Sequence, residues 1–463
     1  MRVLLVTPKY RKVRERWMPL GICYIASALE AKGHQVQIFD RYLYSADNSS
    51  ERVNSDMLKT INQFLPDIIG FNTITPAIYD TIEAVKSART IYSNMIVLGG
   101  HQVTAMPELT LQRITEADAV IVGEGELPFC MLVDGEKRDA IPGLYWREGD
   151  RILGNKNKGS IENIDLLQLP AYHLLNMDYY TKKNLATIRN FYLGVGSVLA
   201  SRGCKNRCEY CTESLTYSGG VRYHNTDYIT ENIELLVRKY KCNGITFLDN
   251  DFLADRNKAE EILRKLIERK LNKDMRFCIQ ARVTGIDRDI ALLMKLAGCC
   301  KVEFGLESAD ERILAKIKKN ATVNEAEKAI KICNKNGISV QANLIMGFEG
   351  ETMECLDRTF DWIKGLNIDN FKIAMLSLYP GSKLYADKGE SFFENNLWTE
   401  ENIDLFFKTD RLSAINQEER KECIKKMRFF NRYLHHSTLW KYNPTLLCLK
   451  YYYEAFLEKG WLK

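Results

Sequence analysis

The sequence predicts an α/β protein built as two strand–helix series in succession, closed by a helical cap. Three observations carry that prediction. Short apolar runs alternate with amphipathic helical stretches through residues 1–135; a second alternating series of six such units begins near Val198; and from about Ser391 the alternation gives way to helix patterns rich in Phe and Tyr. The expected organisation is a doubly wound, Rossmann-like parallel sheet over 1–135, a connector over 136–195, a partial (β/α)6 TIM-type barrel over 196–388 and a mainly helical domain over 389–463.

In the first series Arg2 to Thr7 reads as a strand, and Gly21 to Lys32 as a helix that Gly33 closes. Further strands are expected at Gln35–Asp40, Ile68–Asn72, Met95–Leu98 and Ala119–Val122, with amphipathic helices such as Ala77 to Ile91 between them. Ligands of such sheets sit beyond the carboxyl ends of the strands. Small or polar residues stand there: Thr7 ahead of Pro8 and Lys9, Asn72-Thr73-Ile74-Thr75, Gly99-Gly100-His101-Gln102 and Gly123-Glu124-Gly125-Glu126. Glycine lets a bulky ligand approach the backbone closely. His101 either caps the helix that follows or touches the ligand.

The connector carries a hairpin signal around Gly149-Asp150 and a turn at Pro170. Strands of the second series are expected at Val198–Ser201, Gly244–Leu248, Arg276–Gln280, Lys301–Phe304, Ser339–Ile345 and Asn370–Leu378. Helices are expected between them at Thr226–Tyr240, Arg256–Arg269, Arg288–Leu296, Thr322–Asn336 and Thr352–Leu366. Six units make an open barrel with a wide lateral mouth. The tail contributes helix patterns at Gln417–Leu434 and Thr445–Leu457.

Composition narrows the function classes. The chain has 463 residues, 46% hydrophobic and 27% charged, with a net charge of only +5, so no polyelectrolyte or nucleic-acid partner is demanded. From Asn402 onward 12 Lys and Arg face 7 Asp and Glu, a surplus equal to that of the whole chain. A solvated helix face explains it; a basic seat for an anionic substrate or a membrane surface is the other reading. The apolar run at Met1–Pro8 is too short for a signal peptide, and no later stretch suffices for a transmembrane segment, so a cytoplasmic protein is expected.

Thirteen cysteines in such a chain point to metal binding or plain burial rather than disulfides. Ten, among them Cys23, Cys130, Cys299 and Cys300, sit in apolar periodic segments and read as core thiols. The other three form CxxxCxxC: Cys204, Cys208 and Cys211, on a loop directly after the first barrel strand. Thiolates are the usual ligands of iron–sulfur clusters, and three leave one iron of a 4Fe–4S cubane open. A zinc knuckle is the alternative. It needs a fourth ligand, and His224 and Cys242, the nearby candidates, lack knuckle-like spacing.

This loop, with Tyr210 just before the last cysteine, resembles the radical S-adenosylmethionine superfamily. The resemblance implies that Cys204, Cys208 and Cys211 hold the cluster, that S-adenosylmethionine completes it through its methionyl amine and carboxylate, and that reductive cleavage yields a 5′-deoxyadenosyl radical. It places Tyr210 beside the adenine and implies an external electron donor of the flavodoxin or ferredoxin type. Later matches fall at successive strand ends. Asp249 and Asp251 stand where the superfamily holds the methionyl amine; Glu307 and Ser308 stand in its fourth-strand segment, near the methionyl and ribose groups. Gln280 with Arg282, and Met346, match its third and fifth strands.

The first unit resembles the cobalamin-binding domain that precedes the barrel in one branch of that superfamily. Met18-Pro19-Leu20-Gly21, Tyr24-Ile25-Ala26, Gly99 to Thr104, Gly123 to Glu126, Ile141 to Tyr145 and Leu169-Pro170-Ala171 carry the likeness. It implies cobalamin contacts from Thr7, Asn72, Thr73, Thr75, Gly99, Gly100, His101, Gln102, Gly123, Glu124, Gly125 and Glu126. The Asp-x-His-x-x-Gly motif that ligates cobalt from below in mutases is missing; His34 and His101 lack its flanking residues. A side chain from Asn72 to Thr75 is then the candidate for the lower face.

What the two resemblances together imply is a cobalamin-dependent methyltransferase of the class B type, acting on an unactivated carbon of a small molecule. Ring closure, ring contraction or rearrangement without net methylation is the alternative, and a non-catalytic cobalamin or redox sensor is a further one. Methylthiolation needs three more N-terminal cysteines, where only Cys23 and Cys130 lie. The aromatic, basic tail (Trp440, Tyr442, Tyr451, Trp461) leaves the substrate open.

Overall fold

The computed structural model describes residues 1–9, 15–44, 50–213, 217 and 220–388, with isolated positions at 398, 415, 416, 418, 419, 421, 422 and 425. The helices expected in the tail lie outside the described residues, apart from those isolated positions.

The first sheet begins with β1 (Arg2–Val6), β2 (Gln35–Phe39), β3 (Ile68–Asn72), β4 (Met95–Gly99) and β5 (Ala119–Ile121), all parallel. Two antiparallel strands, β6 (Leu144–Glu148) and β7 (Arg151–Gly154), extend it, so the sheet reaches into the segment expected as connector and the hairpin at Gly149-Asp150 closes it. The strand order is β2-β1-β3-β4-β5-β6-β7. Alternate side chains serve opposite faces. Val3, Leu5, Ile68, Val97 and Ile121 pack toward α1 (Leu20–Ala31) and α6 (Glu126–Val133). Leu4, Val6, Ile69, Ile96 and Leu98 pack toward α2 (Ser50–Phe64), α3 (Ile78–Arg89) and α5 (Pro107–Arg113). Because β1 pairs with both β2 and β3, the order reverses there, and a crevice opens at the carboxyl ends.

The second sheet is parallel throughout: β8 (Val195–Val198), β11 (Gly244–Phe247), β12 (Arg276–Ala281), β13 (Cys299–Glu307), β14 (Ser339–Met346) and β15 (Asn370–Met375), in the order β15-β14-β13-β12-β11-β8. The two end strands do not pair, so the barrel is open. Its outer helices start where the sequence puts capping side chains: Asp255, Asp287, Thr322 with Glu325, and Thr352 each accept from a first-turn N–H.

The first barrel strand differs from expectation. It occupies Val195–Val198, three residues upstream, and Ser201–Arg202 instead forms β9, antiparallel to β10 (Arg222–Tyr223). The cause is Asp249, which captures the chain after Val198. The Ala200 N–H donates to one of its oxygens at 3.0 Å and the Ser201 hydroxyl to the other at 2.5 Å, turning the backbone out of the barrel.

The connector stitches the two sheets together. Tyr180 donates to Asp40 beside β2, and Tyr172 donates to the Ser197 carbonyl on β8. Among the described residues no helix is long and apolar enough to cross a membrane.

Candidate active site

The cysteine loop runs from the hairpin strand β9 across the carboxyl ends of the barrel. Cys204, Cys208 and Cys211 are half-buried, whereas the other eight described cysteines are buried. The Cys211 N–H donates to the Cys208 carbonyl at 3.0 Å and the Asn206 N–H to the Cys204 sulfur at 3.5 Å, which folds the loop back on itself. Burial pushes the Cys211 thiol up to about 11, and Cys208 and Cys204 add to it. Metal binding takes a cysteine as its thiolate and releases the proton.

No trio of His, Cys, Asp or Glu among the described residues converges as ligands of a single ion do. The two fourth ligands a zinc knuckle would require are engaged elsewhere. His224 is stacked on Tyr228 at 4.0 Å, and Cys242 is buried in the core with Leu236 and Ile245. Three partly exposed thiols on one loop with no fourth protein ligand fit a cubane with one open iron.

Around that loop the sequence-predicted residues separate into groups. Tyr210 donates to Glu307 at 2.9 Å, and Lys319 holds the same carboxylate oxygen at 2.8 Å. Lys319 carried no signal of its own in the sequence, since a lysine between two helices reads as solvent-facing. Glu307 sits in the left-handed region at φ +63°, and Gly305 makes room for this ion pair: a Cβ there would stand 2.5 Å from the Glu307 carboxylate. Burial raises the Tyr210 phenol far above its ordinary value, and Glu307 adds to it, so the hydroxyl stays a donor.

Asp249 is buried with both oxygens engaged at the root of the loop, and burial pushes its carboxyl up to about 6. Asp251 accepts from the Arg282 N–H at 3.2 Å, and the Arg282 side chain reaches the carbonyls of Lys319 and Asn320. Gln280 is exposed toward the barrel interior. Ser308 is buried and accepts from the Asp310 N–H, and Met346 packs in the apolar core.

Facing the loop is a cavity of about 330 Å³ between the two sheets. Its walls include Asn72, Ile74, Gly99, Gly100, His101 and Gly123 to Glu126 from the first sheet, and Leu199, Arg202, Tyr217 and Leu248 from the barrel. It extends inward between the sheet and its helices, past Leu5, Val97, Ile121, Leu20 and Phe129. At Gly21 and Gly99 an added Cβ would meet nothing within 4 Å, so the backbone there is bare to the cavity. Gly100, at φ +112°, lets the chain turn under the Thr73 carbonyl, which a Cβ would strike. An apolar slot rimmed by bare backbone fits a flat, bulky ligand such as a corrin with a buried tail.

Other residues singled out in this sheet lie behind that wall. Thr7 donates to Asp40, Thr73 to the Gly99 carbonyl and Thr75 to Gln102, so Thr7, Thr73, Thr75 and Gln102 brace the strand ends from within. Glu124 and Glu126 reach the cavity while paired across the seam: Arg202 binds both, at 2.7 and 2.6 Å, and Arg222 binds Glu124 at 2.7 Å. Arg202 stands two residues before Cys204. Its charge was visible in the sequence, but nothing there told which acid it would meet.

A model of the radical SAM superfamily matches residues 198–363, and one of the B12 binding domain matches 9–133. The chain is 33% identical over 407 residues to an uncharacterized methyltransferase of Pyrococcus horikoshii, covering 86% of this chain and 84% of that one. The chain belongs to the cobalamin-dependent radical SAM methyltransferase family. An anaerobic magnesium-protoporphyrin IX monomethyl ester cyclase of Rubrivivax gelatinosus is 28% identical over 409 residues, covering 84% of this chain and 70% of the cyclase. Among solved structures, the radical SAM methyltransferase TsrM of Kitasatospora setae, with cobalamin and a [4Fe-4S] cluster bound, superposes with a TM-score of 0.69 at 19% identity, over 84% of this chain and 75% of that one. That likeness is one of fold. The cofactors of this radical SAM methyltransferase are a 4Fe–4S cluster, S-adenosylmethionine and cobalamin.

Proposed function

We propose that this enzyme methylates an unactivated carbon of a small molecule. One observation carries the reading: the bare-glycine wall of the first sheet and the barrel residues Leu199, Arg202 and Leu248, beside the cysteine loop, line one cavity. When bound, the cluster supplies the electron that cleaves S-adenosylmethionine and the corrin carries the methyl group. The chain's own task is placement. Cys204, Cys208 and Cys211 would hold the cluster at the mouth of the barrel, Tyr210 and Glu307 would flank S-adenosylmethionine, and Gly99 to His101 with Gly123 to Glu126 would seat the corrin opposite. Apolar walls from Leu20, Phe129 and Leu248 exclude water from the space between. An external one-electron donor of the flavodoxin or ferredoxin type and a cytoplasmic setting belong to the same proposal.

The test is product analysis. Reconstituted enzyme is incubated with reductant, labelled S-adenosylmethionine and a metabolite extract of its host. Methyl transfer yields S-adenosylhomocysteine and 5′-deoxyadenosine together, with label in a new product. The similarity to a cyclase favours a second reading, ring closure without methylation, for which 5′-deoxyadenosine appears alone.

A further inference from the structure

The cavity between the two sheets is polar at one end and apolar at the other. Asn72, His101, Glu124 and Glu126 line it at the carboxyl ends of the first sheet's strands, and Arg202 lines it from the barrel, with its guanidinium over the Tyr24 ring at 5.0 Å. The inner end runs along the face of the sheet that α1 and α6 cover. Its walls are Leu5, Val97 and Ile121 from the strands and Leu20 and Phe129 from the helices, all buried. Register sets Leu5, Gly70 and Val97 in one row across β1, β3 and β4. Gly70 is the gap in that row. A Cβ there would stand 3.0 Å from Leu5 Cδ2 and 3.1 Å from Phe129 Cζ, so a side chain would press both into the cavity.

This inner end offers a ligand no hydrogen bond. None of the residues just named along it carries a side-chain donor or acceptor. β1, β3, β4 and β5 are all interior strands, so their N–H and C=O groups are engaged in ladders on both sides. A donor or acceptor buried there would lose its water and gain no partner. The slot therefore discriminates by polarity. Cobamides present it with a choice, because they share the corrin and differ in the base at the end of the nucleotide tail.

We propose that the inner end of the cavity selects the cobamide by its base, with Leu5, Gly70, Val97 and Phe129 as the selecting residues. It accepts a benzimidazole, whose six-membered ring is all carbon. It rejects adenine, whose six-membered ring carries an amine and two nitrogens that would be buried unpaired. This rests on the corrin seat of the proposed function and adds which members of the cofactor class the chain takes.

Cobalamin, its adenine-based counterpart pseudocobalamin, and cobinamide, which lacks the nucleotide, are compared in their hydroxo forms. Each is titrated into the full chain with its cluster reconstituted, and the bound fraction is read from corrin absorbance after ultrafiltration. Cobalamin is expected to bind about ten- to a hundredfold tighter than pseudocobalamin. Gly70→Ala should bring cobalamin down toward cobinamide, because Leu5 and Phe129 then fill the slot. Val97→Thr offers adenine a hydroxyl at nearly equal volume and should narrow the preference several-fold. The parent chain alone decides the claim, even if neither variant folds. Equal binding of cobalamin and pseudocobalamin, or cobinamide bound as tightly as cobalamin, overturns the proposal. A chain that holds all three equally keeps its corrin seat and loses only this inference; a chain that holds none loses the corrin seat as well.

Discussion

Cys204, Cys208 and Cys211 differ from every other described cysteine in being partly exposed, so truncating one removes a ligand without opening a buried void. Each Ala variant is expected to keep its melting temperature and to lose 5′-deoxyadenosine formation below detection, read by chromatography after anaerobic incubation with S-adenosylmethionine and dithionite. Asp249 is the opposite case. Asp249→Ala strands the Ala200 N–H and the Ser201 hydroxyl in a buried place, at a cost of about 2–4 kcal/mol, and loosens the root of the cysteine loop. Its iron and sulfide content after reconstitution should fall, and denaturant unfolding should show the lost stability. The triplet was legible in the sequence because spacing alone sets its geometry. The engagement of Asp249 was not, because an acid after a strand reads the same whether it faces solvent or captures the preceding strand.

At the level of elements, the strand ends of the first sheet divide into wall and brace. Gly99 is bare to the cavity, whereas Gly100 is wedged under the Thr73 carbonyl. Gly99→Val should therefore weaken retention of hydroxocobalamin through gel filtration at nearly unchanged stability. Gly100→Val should lower both, since a branched residue at φ +112° is strained as well as blocked. Alternation of strands and helices was legible because each strand shows its buried run, and the outer helices of the barrel show their capping side chains. The start of β8 was misplaced by three residues because its end is decided by Asp249, just past the end of the neighbouring strand β11 and beyond the reach of local pattern. Which of the polar strand-end residues face the cavity was equally hidden: Thr75 and Gln102 satisfy each other.

For the whole molecule, the seam between sheets is held by Arg202 with Glu124 and Glu126, all buried. Arg202→Met leaves Glu126 buried without its cation, while Glu124 keeps Arg222, and should cost about 3–5 kcal/mol, with a concentration of denaturant at half-unfolding that falls accordingly. Beside it, His224 is stacked on Tyr228 and faces Tyr24 of α1 at 6.4 Å. Burial pushes its imidazole down to about 4, and Arg202 adds to that. A histidine whose folded pKa lies below its unfolded value of 6.5 takes up a proton more readily when unfolded. Its contribution is thus present above pH 6.5 and lost as pH falls toward 4, on the order of 2 kcal/mol. Denaturant midpoints at pH 7 and pH 5 should converge in His224→Gln relative to the parent chain.

The account stands on three thiolates that leave one iron free for S-adenosylmethionine beside the glycine-walled cavity of the first sheet. The direct measurement is 5′-deoxyadenosine formed per cluster by anaerobically reconstituted, dithionite-reduced enzyme, beside its Cys208→Ala variant. The account predicts steady formation by the parent chain and none by the variant. A parent chain carrying full iron and sulfide that forms no 5′-deoxyadenosine, or a variant that forms as much, contradicts it.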